Sequence, residues 1–434
     1  MPPDEFGAAS LLSAASLVVT AIIATPLIQL IVRAAARGED NGPRLLRLIG
    51  TYCYLVLPIG IGVIAAVFAL FVPKFLGVAG YIWGIELLAI AFQPASSTFA
   101  MWVAQAREDL RRFVWLSATS VFVAAASKIL LVVVMRLGVL GWVVTDLLTA
   151  VFSAVLAIAL VRLPRVHVTS EDLRYAVRFT LPLVPHTASL WALTALSRPA
   201  MAAVSTLEQV GLLSFGLNLA TAAGLVLMES NRAVLPRYSR EVFPAPTQET
   251  LTPVRWQIIA AFVVPAAVGC GVAIAGQWIF AAAYWPSFAL TGILLIGQAA
   301  YGLYLIPMNY LTQAAALPRY SAVASGSGAA VILVSILLLG RTYGAVGVAC
   351  ATAVGYMTMA AVVLAVTRAV KLDIAWRTWL AFWPEILLAF SALACSVAAL
   401  ASPMNSPLSW TLSGISVAFL IAAALRTMYR DRST

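Results

Sequence analysis

Long apolar runs separated by short polar breaks recur along the whole of the 434-residue chain. A helix of about 20 apolar residues crosses the hydrocarbon core of a bilayer. By that rule the pattern predicts spans near residues 7–32, 48–72, 78–104, 113–135, 138–161 and 179–204 in one half. In the other half it predicts 209–231, 256–275, 287–314, 320–340, 343–367, 378–400 and 407–426. The expected fold is therefore all-α, a polytopic transmembrane helical bundle of about thirteen spans. Composition points the same way: 62% of residues are hydrophobic and 10% charged, with a mean hydropathy of +0.97, which excludes an ordinary soluble domain. No short apolar stretch with a small-residue cleavage site precedes the spans, so no cleaved leader is expected.

The basic residues alternate from loop to loop. Arg33, Arg37, Arg44 and Arg47 fall on one side, followed by Arg107, Arg111 and Arg112, then Arg162, Arg165, Arg174 and Arg178. Arg237, Arg240, Arg255, Arg319, Arg368, Lys371, Arg377, Arg426, Arg430 and Arg432 continue that side, whereas the opposite loops carry Lys74, Arg136 and Arg341. Lys and Arg in short loops are retained in the cytoplasm. The C-terminus is therefore predicted inside, and the N-terminus, with Asp4 and Glu5, outside. The net charge of +10 is accounted for by this topology and by anionic lipid rather than by a nucleic-acid partner.

Little in the chain resembles a catalytic or metal site. Cys53, Cys270, Cys350 and Cys395 lie singly in different apolar runs, and His167 and His186 are isolated, so no metal site and no cofactor is expected. There is no H-E-x-x-H, no phosphate-binding glycine loop and no suitable serine triad, and the outer loops are short. These features argue against a membrane polymerase or glycosyltransferase. Without a nucleotide site, any transport would draw on an ion gradient, the membrane potential or downstream use of the product.

Internal similarity appears in register. "YLVLPIGIGV" around Pro58 matches "AFVVPAAVGCGV" around Pro265, and "WVAQA" matches "YLTQA". "RLGVLG" with Gly138 and Gly141 matches "RTYGAVG" with Gly344 and Gly347, and "PDEFG" matches "LEQVG" ending at Gly211. An offset that carries the chain across an even number of spans predicts two lobes pointing the same way, related by an axis along the membrane normal and rocking about a central cavity. The predicted division is 1–175 for an N-terminal lobe of five spans, 176–370 for a C-terminal lobe of six, and 371–434 for two trailing helices and a tail. The span at 179–204 has no counterpart ahead of "PPDEFG", as if the first lobe began one helix late.

Charges within apolar runs are expensive, a few kcal/mol each on insertion scales, and tend to face partners or water. Thr187, Trp191, Thr194 and Arg198 recur on one helical face, and Ser214, Asn218, Thr221, Glu229 and Arg232 form a similar stripe. Arg198 either faces a wet cavity or snorkels to the nearby outer interface. Lys128 and Asp146 are equidistant from the hairpin turn at Leu137, which predicts an ion pair between adjacent helices, with substrate contact as the other reading. Glu86, Glu229 and Glu385 are the remaining acids in spans; with Asp146 they are candidates for carrying a coupling proton or sodium ion.

Three segments carry a family resemblance: "PDEFG", "RFTLPLVPHTASLWALTALSRPAM" running into "LEQVGLLSFGLNLATAAGLVL", and "YGAVGVACATAVGYM". Together they resemble the Wzx-type polysaccharide (O-antigen) flippases of the multidrug/oligosaccharidyl-lipid/polysaccharide exporter superfamily. The resemblance implies two six-helix lobes plus two trailing helices, in the bacterial inner membrane. It also implies transfer of a polyprenyl-pyrophosphate-linked oligosaccharide to the periplasmic leaflet by alternating access, with membrane lipids and a polysaccharide polymerase and export machinery as partners. The family's first helix is absent here, and Ser197 stands where an Asp often precedes the arginine. On this reading Arg198, Thr194, Trp191, Asn218, Arg232 and Lys128 contact the pyrophosphate and sugars. A drug or cation antiporter of the same superfamily is the alternative, and the two spans after residue 376 point away from it.

Overall fold

The computed structural model describes every residue except 37–40, 182–183, 185–187, 189–190, 192–194, 241–247, 316, 318, 373, 375–381 and 434; for residues 36, 248–249 and 429–433 it describes the backbone alone. Among the described residues, eleven helices are long and apolar enough to cross a membrane. The 51-residue helix Arg319–Ala369 breaks at Gly344, with φ 53° and ψ −135°, so it supplies two of the predicted spans. Part of the predicted span at 179–204 lies outside the described residues, and its described C-terminal part includes the helix Ser197–Ala202. The chain is an all-helical, multi-pass membrane bundle.

By its contacts the chain forms two units, Met1–Glu208 and Gln209–Thr434. Residues 176–208, which the repeat register gives to the second lobe, thus go with the first unit. Trp191 Nε1 donates to Ala14 O at 3.1 Å, and the short helix Ser197–Ala202 packs on the first helix.

The first unit comprises α1 (Pro3–Ile23), α2 (Thr25–Ala36), α3 (Gly42–Thr51), α4 (Leu57–Phe71), α5 (Gly80–Pro94), α6 (Met101–Ala106), α7 (Leu110–Lys128), α8 (Gly138–Leu160), α9 (Ser170–Thr180) and α10 (Ser197–Ala202). Three helices widen into π turns, at Tyr52–Val56, Ala95–Ala100 and Ile129–Val134. The second of these follows Pro94, whose ring removes one N–H from the helical ladder. A two-stranded hairpin, β1 (Lys74–Phe75) and β2 (Val78–Ala79), joins α4 to α5. Its turn residues Leu76 and Gly77 both have positive φ, 47° and 84°, as a two-residue turn requires. Leu11, Leu12, Trp83 and Val143 form one buried core, and Leu30, Ile31, Leu45, Ile49, Phe99 and Leu116 another.

The second unit comprises α11 (Leu207–Tyr238, from Gln209 onward), α12 (Gln248–Ile279), α13 (Pro286–Asn309), α14 (Arg319–Ala369), α15 (Trp383–Ala401) and α16 (Pro407–Ser433). α13 packs on α12 and α14, and the trailing pair α15 and α16 packs on α12. Glycine permits the close approach of α11 to α13: a Cβ on Gly216 would stand 3.2 Å from Ser287 O and 3.3 Å from Leu290 Cβ. At one end of these helices the polar groups satisfy one another. Asn309 Nδ2 donates to Asn231 Oδ1 at 2.7 Å, Gln257 Nε2 donates to the same oxygen at 2.8 Å, and Tyr238 OH donates to Gln257 Oε1 at 2.6 Å. Buried amides with partners on three helices fix their register.

One contact recurs in both units at matched positions. Gly138 (φ 57°) and Gly344 (φ 53°) turn the chain between adjacent helices. The Glu5 carboxylate lies against Gly138, and Gln209 Oε1 lies against Gly344 and accepts from the Ala345 N–H at 3.0 Å. Glu5 and Gln209 are themselves matched in "PDEFG" and "LEQVG". A side chain at either glycine would need a left-handed backbone, costing about 1–2 kcal/mol, and would crowd that polar group. Gly138→Ala and Gly344→Ala should each lower the melting temperature of the purified protein by several degrees, whereas Gly271→Ala, where a Cβ meets nothing within 4 Å, should lower it far less.

The start of α9 is held by charge. Asp172 closes a capping box at the start of α9: the Thr169 N–H and hydroxyl both donate to its Oδ2, at 2.9 and 2.8 Å. Arg44 Nε stands 3.5 Å from Oδ1. The Thr169 backbone N–H, with the Thr169 hydroxyl and Arg44, holds the Asp172 carboxyl below the usual carboxylate range despite its burial. A depressed folded-state pKa contributes stability that is present above the unfolded value of about 3.9 and lost as pH falls through the folded one. Hydrogen-exchange protection of α9, corrected for intrinsic rate, should hold from neutral pH to about 5 and fall in the acid range below about 4. Asp172→Asn should reduce protection at neutral pH and flatten that dependence.

Candidate functional site

The first unit holds a cavity of about 420 Å³, open on one side, whose largely apolar wall carries a set of polar and charged side chains. α1 contributes Ser13 and Ser16. α5 contributes Glu86 and Gln93, and the π turn after it Ser96 and Ser97. α7 contributes Ser120 and Lys128, and α8 contributes Asp146, Thr149 and Ser153. Helical periodicity explains the convergence: Asp146, Thr149 and Ser153 stand at i, i+3 and i+7, as do Glu86, Ala89 and Gln93. The π turns at Ala95–Ala100 and Ile129–Val134 re-aim the side chains of α5 and α7 beside the cavity, a placement common for π turns at functional sites.

Lys128 Nζ stands 3.6 Å from Asp146 Oδ1 and 3.7 Å from the centre of the Trp142 ring. Lys128 and Asp146 are 35% and 28% exposed, and both line the hollow. Glu86 is only 2% exposed. Among the described residues its Oε2 and the Ser96 hydroxyl have no hydrogen-bond partner, and both residues line the cavity. Elsewhere on the wall Ser120 and Ser153 share a 2.7 Å hydrogen bond and Ser16 donates to Gln93 Oε1 at 3.3 Å. Two carboxyl groups, one ammonium and several hydroxyls lining one hollow can take up a proton or small cation, or bind a hydroxylated ligand.

The structure sorts the sequence-derived candidates into four places. Glu86, Lys128 and Asp146 come together in the first-unit cavity. Lys128, assigned to the substrate above, has its ammonium held by Asp146 and Trp142. Arg198 is half-buried at the start of α10, and Trp191 is hydrogen-bonded to α1; neither lines the cavity. Thr194 and Thr187 lie outside the described residues, so the four-residue polar face is only partly visible. In the second unit Asn218, Thr221, Leu225, Glu229 and Arg232 form an exposed stripe on α11, while Ser214 is buried. Glu229 is occupied by Arg232 one turn on, at 2.6 Å. Glu385 is buried in the first turn of α15 and meets Arg426 Nε of α16 at 3.3 Å, clasping the two trailing helices. The cavity hydroxyls Ser13, Ser16, Ser120, Thr149 and Ser153 were not singled out from the sequence. The signal was there: Thr149 and Ser153 share a helical face with Asp146.

Among the described residues no cluster of three or more metal-ligating side chains occurs. The four cysteines are unpaired, with Cys53 and Cys270 buried.

The fold resembles a defined architecture, that of the helical bundles in the solved MurJ and MATE structures. Over 98% of this chain and 98% of the other, the structure is similar to "Lipid II flippase MurJ, inward closed conformation", with a TM-score of 0.68 and 12% identity. Over 85% of this chain and 90% of the other, it is similar to an inward-facing multidrug resistance MATE family transporter of the MOP superfamily, with a TM-score of 0.68 and 13% identity. At these identities the likeness concerns the fold. No protein-family profile matches the sequence, and no curated protein matches it.

Proposed function

We propose that the protein is a flippase that moves a polyprenyl-pyrophosphate-linked oligosaccharide from the cytoplasmic to the periplasmic leaflet of a bacterial inner membrane, by alternating access. The observation that carries this reading is the extent of the fold likeness. The match to the lipid II flippase takes in 98% of both chains, the trailing helices α15 and α16 included, whereas the match to the multidrug transporter takes in 85% of this one. Trailing helices are what the sequence reading expects of a flippase for a lipid-linked sugar. Arg198 supplies a guanidinium group suited to pyrophosphate oxygens; Arg232, which Glu229 engages, and Trp191, Thr194 and Asn218 are the further substrate contacts of this reading, and the product passes to a polysaccharide polymerase and export machinery. Glu86 of the first-unit cavity is the group best placed to carry a coupling proton or sodium ion; Asp146, on the same wall, is engaged by Lys128, and Glu229 and Glu385 are each engaged by an arginine.

The acidic cavity also suits a second reading, a cation-coupled drug antiporter. The two separate cleanly in proteoliposomes. The flippase reading expects a fluorescent polyprenyl-diphosphate sugar to change leaflets at a rate above protein-free vesicles, with no ion-driven accumulation of cationic dyes. Dye extrusion without lipid transfer would overturn it in favour of the antiporter.

A further inference from the structure

A second polar cavity, of about 360 Å³, lies in the first unit away from the site above. Its wall is the last turn of α8 (Ala159, Leu160, Val161) together with three arginines: Arg107 at the end of α6, Arg112 in the first turn of α7, and Arg162 just past α8. Arg112 Nε stands 3.3 Å from Asp109 Oδ2. Among the described residues neither Arg107 nor Arg162 has an ion-pair partner, so the pocket presents two uncompensated guanidinium groups. All three arginines lie at helix ends or in loops that the alternation of basic residues assigns to the cytoplasm.

What lies next to the pocket identifies the ligand. α7 is the most outlying span of the unit, with none of its apolar window buried, and it packs chiefly on α8. Leu110 and Val114 of α7 and Val155 and Ile158 of α8 are exposed, within a turn or two of the arginines. Trp115, also exposed, stands where interfacial aromatics collect. The arginines thus sit at the level of lipid phosphates, and apolar faces run from them into the bilayer.

We infer that this pocket holds the headgroup of an anionic phospholipid of the inner leaflet, its phosphate between Arg107 and Arg162 and its acyl chains along the exposed faces of α7 and α8. Planar guanidinium groups match phosphate oxygens bidentately, and a basic pocket between helices on the cytoplasmic side suits a charged lipid over a zwitterionic one. The bilayer itself is the most concentrated source of phosphate on that outward face, which favours a resident lipid over the transported one.

Native mass spectrometry of the detergent-purified protein incubated with equimolar phosphatidylglycerol and phosphatidylethanolamine tests this. The parent should retain phosphatidylglycerol with about tenfold preference. The Arg107→Ala/Arg162→Ala double variant should lose that preference, and Arg174→Ala/Arg178→Ala on α9 should keep it. Equal retention of both lipids by the parent, or unchanged preference in the double variant, overturns the assignment. So does displacement of phosphatidylglycerol by polyprenyl diphosphate at a tenfold lower concentration, which would make the pocket a waiting site for the transported lipid. If the double variant melts below the parent, the single Arg107→Gln and Arg162→Gln variants are judged by the same criterion.

Discussion

Removing one member of the cavity ion pair, by Lys128→Ala or Asp146→Ala, is expected to destabilise the protein by about 2 kcal/mol and to abolish transport. The estimate sits between two limits. Breaking a fully buried pair costs about 3–5 kcal/mol because a charge is left uncompensated, and an exposed pair is worth about 0–1 kcal/mol. Both partners are about a third exposed, which places the pair between those limits. Lys128→Ala would leave the Asp146 carboxylate without its cation, on the same wall as the buried Glu86, and Asp146→Ala would leave Lys128 with only the Trp142 ring. The exchange Lys128→Asp/Asp146→Lys should restore much of the melting temperature, since the two side chains meet across the α7–α8 hairpin. It should restore less of the transport, because the ammonium would leave Trp142 and the carboxylate would change its distance from Glu86. Thermal melting in detergent and lipid transfer in proteoliposomes check the two effects separately. Single variants as stable and active as the parent would remove the pair from both stability and coupling.

The second large effect concerns Arg198. If this guanidinium binds pyrophosphate oxygens, Arg198→Ala forfeits hydrogen bonds to a charged group, worth about 1.5–3 kcal/mol, or roughly a 10- to 100-fold loss of apparent affinity. Export of surface polysaccharide from a complemented deletion strain should collapse, with protein level and melting temperature close to the parent. Arg198→Lys keeps the charge and loses the fork, so it should recover only part of the activity. Undiminished export by Arg198→Ala would leave the arginine as a snorkelling residue with no part in substrate binding.

Much of the architecture could be read from hydropathy alone, because hydrocarbon demands long apolar helices and tolerates little else. The repeat was legible where the backbone is constrained. Gly138 and Gly344 match because both turns need a positive φ, and Glu5 and Gln209 match because each rests on one of those turns. The π turns were not legible, since a run such as Ile129–Val134 reads as ordinary apolar helix. Nor was the β-hairpin at Lys74–Ala79, whose four paired residues are too few to set a period.

The candidate site was half visible. The spacing of Lys128 and Asp146 from Leu137 gave their pairing, because two antiparallel helices joined by a tight turn must bring matching depths together. Glu86 could not be added to them from sequence, since its placement depends on how α5 packs against α8. The hydroxyls escaped notice because serine and threonine are common small residues at helix contacts in membranes. Asn231, Gln257 and Asn309 are similarly silent in sequence: their partners lie on three helices and follow no local period.

The most direct test of the proposed transport is a leaflet-resolved assay of lipid-linked oligosaccharide in cells lacking this protein. Spheroplasts and inverted vesicles are labelled separately with a membrane-impermeant reagent that reacts with the sugar. The flippase account predicts accumulation on the cytoplasmic leaflet with a matching loss from the periplasmic one, reversed by the parent gene and not by Asp146→Ala. An unchanged distribution between leaflets in the deletion strain would contradict it.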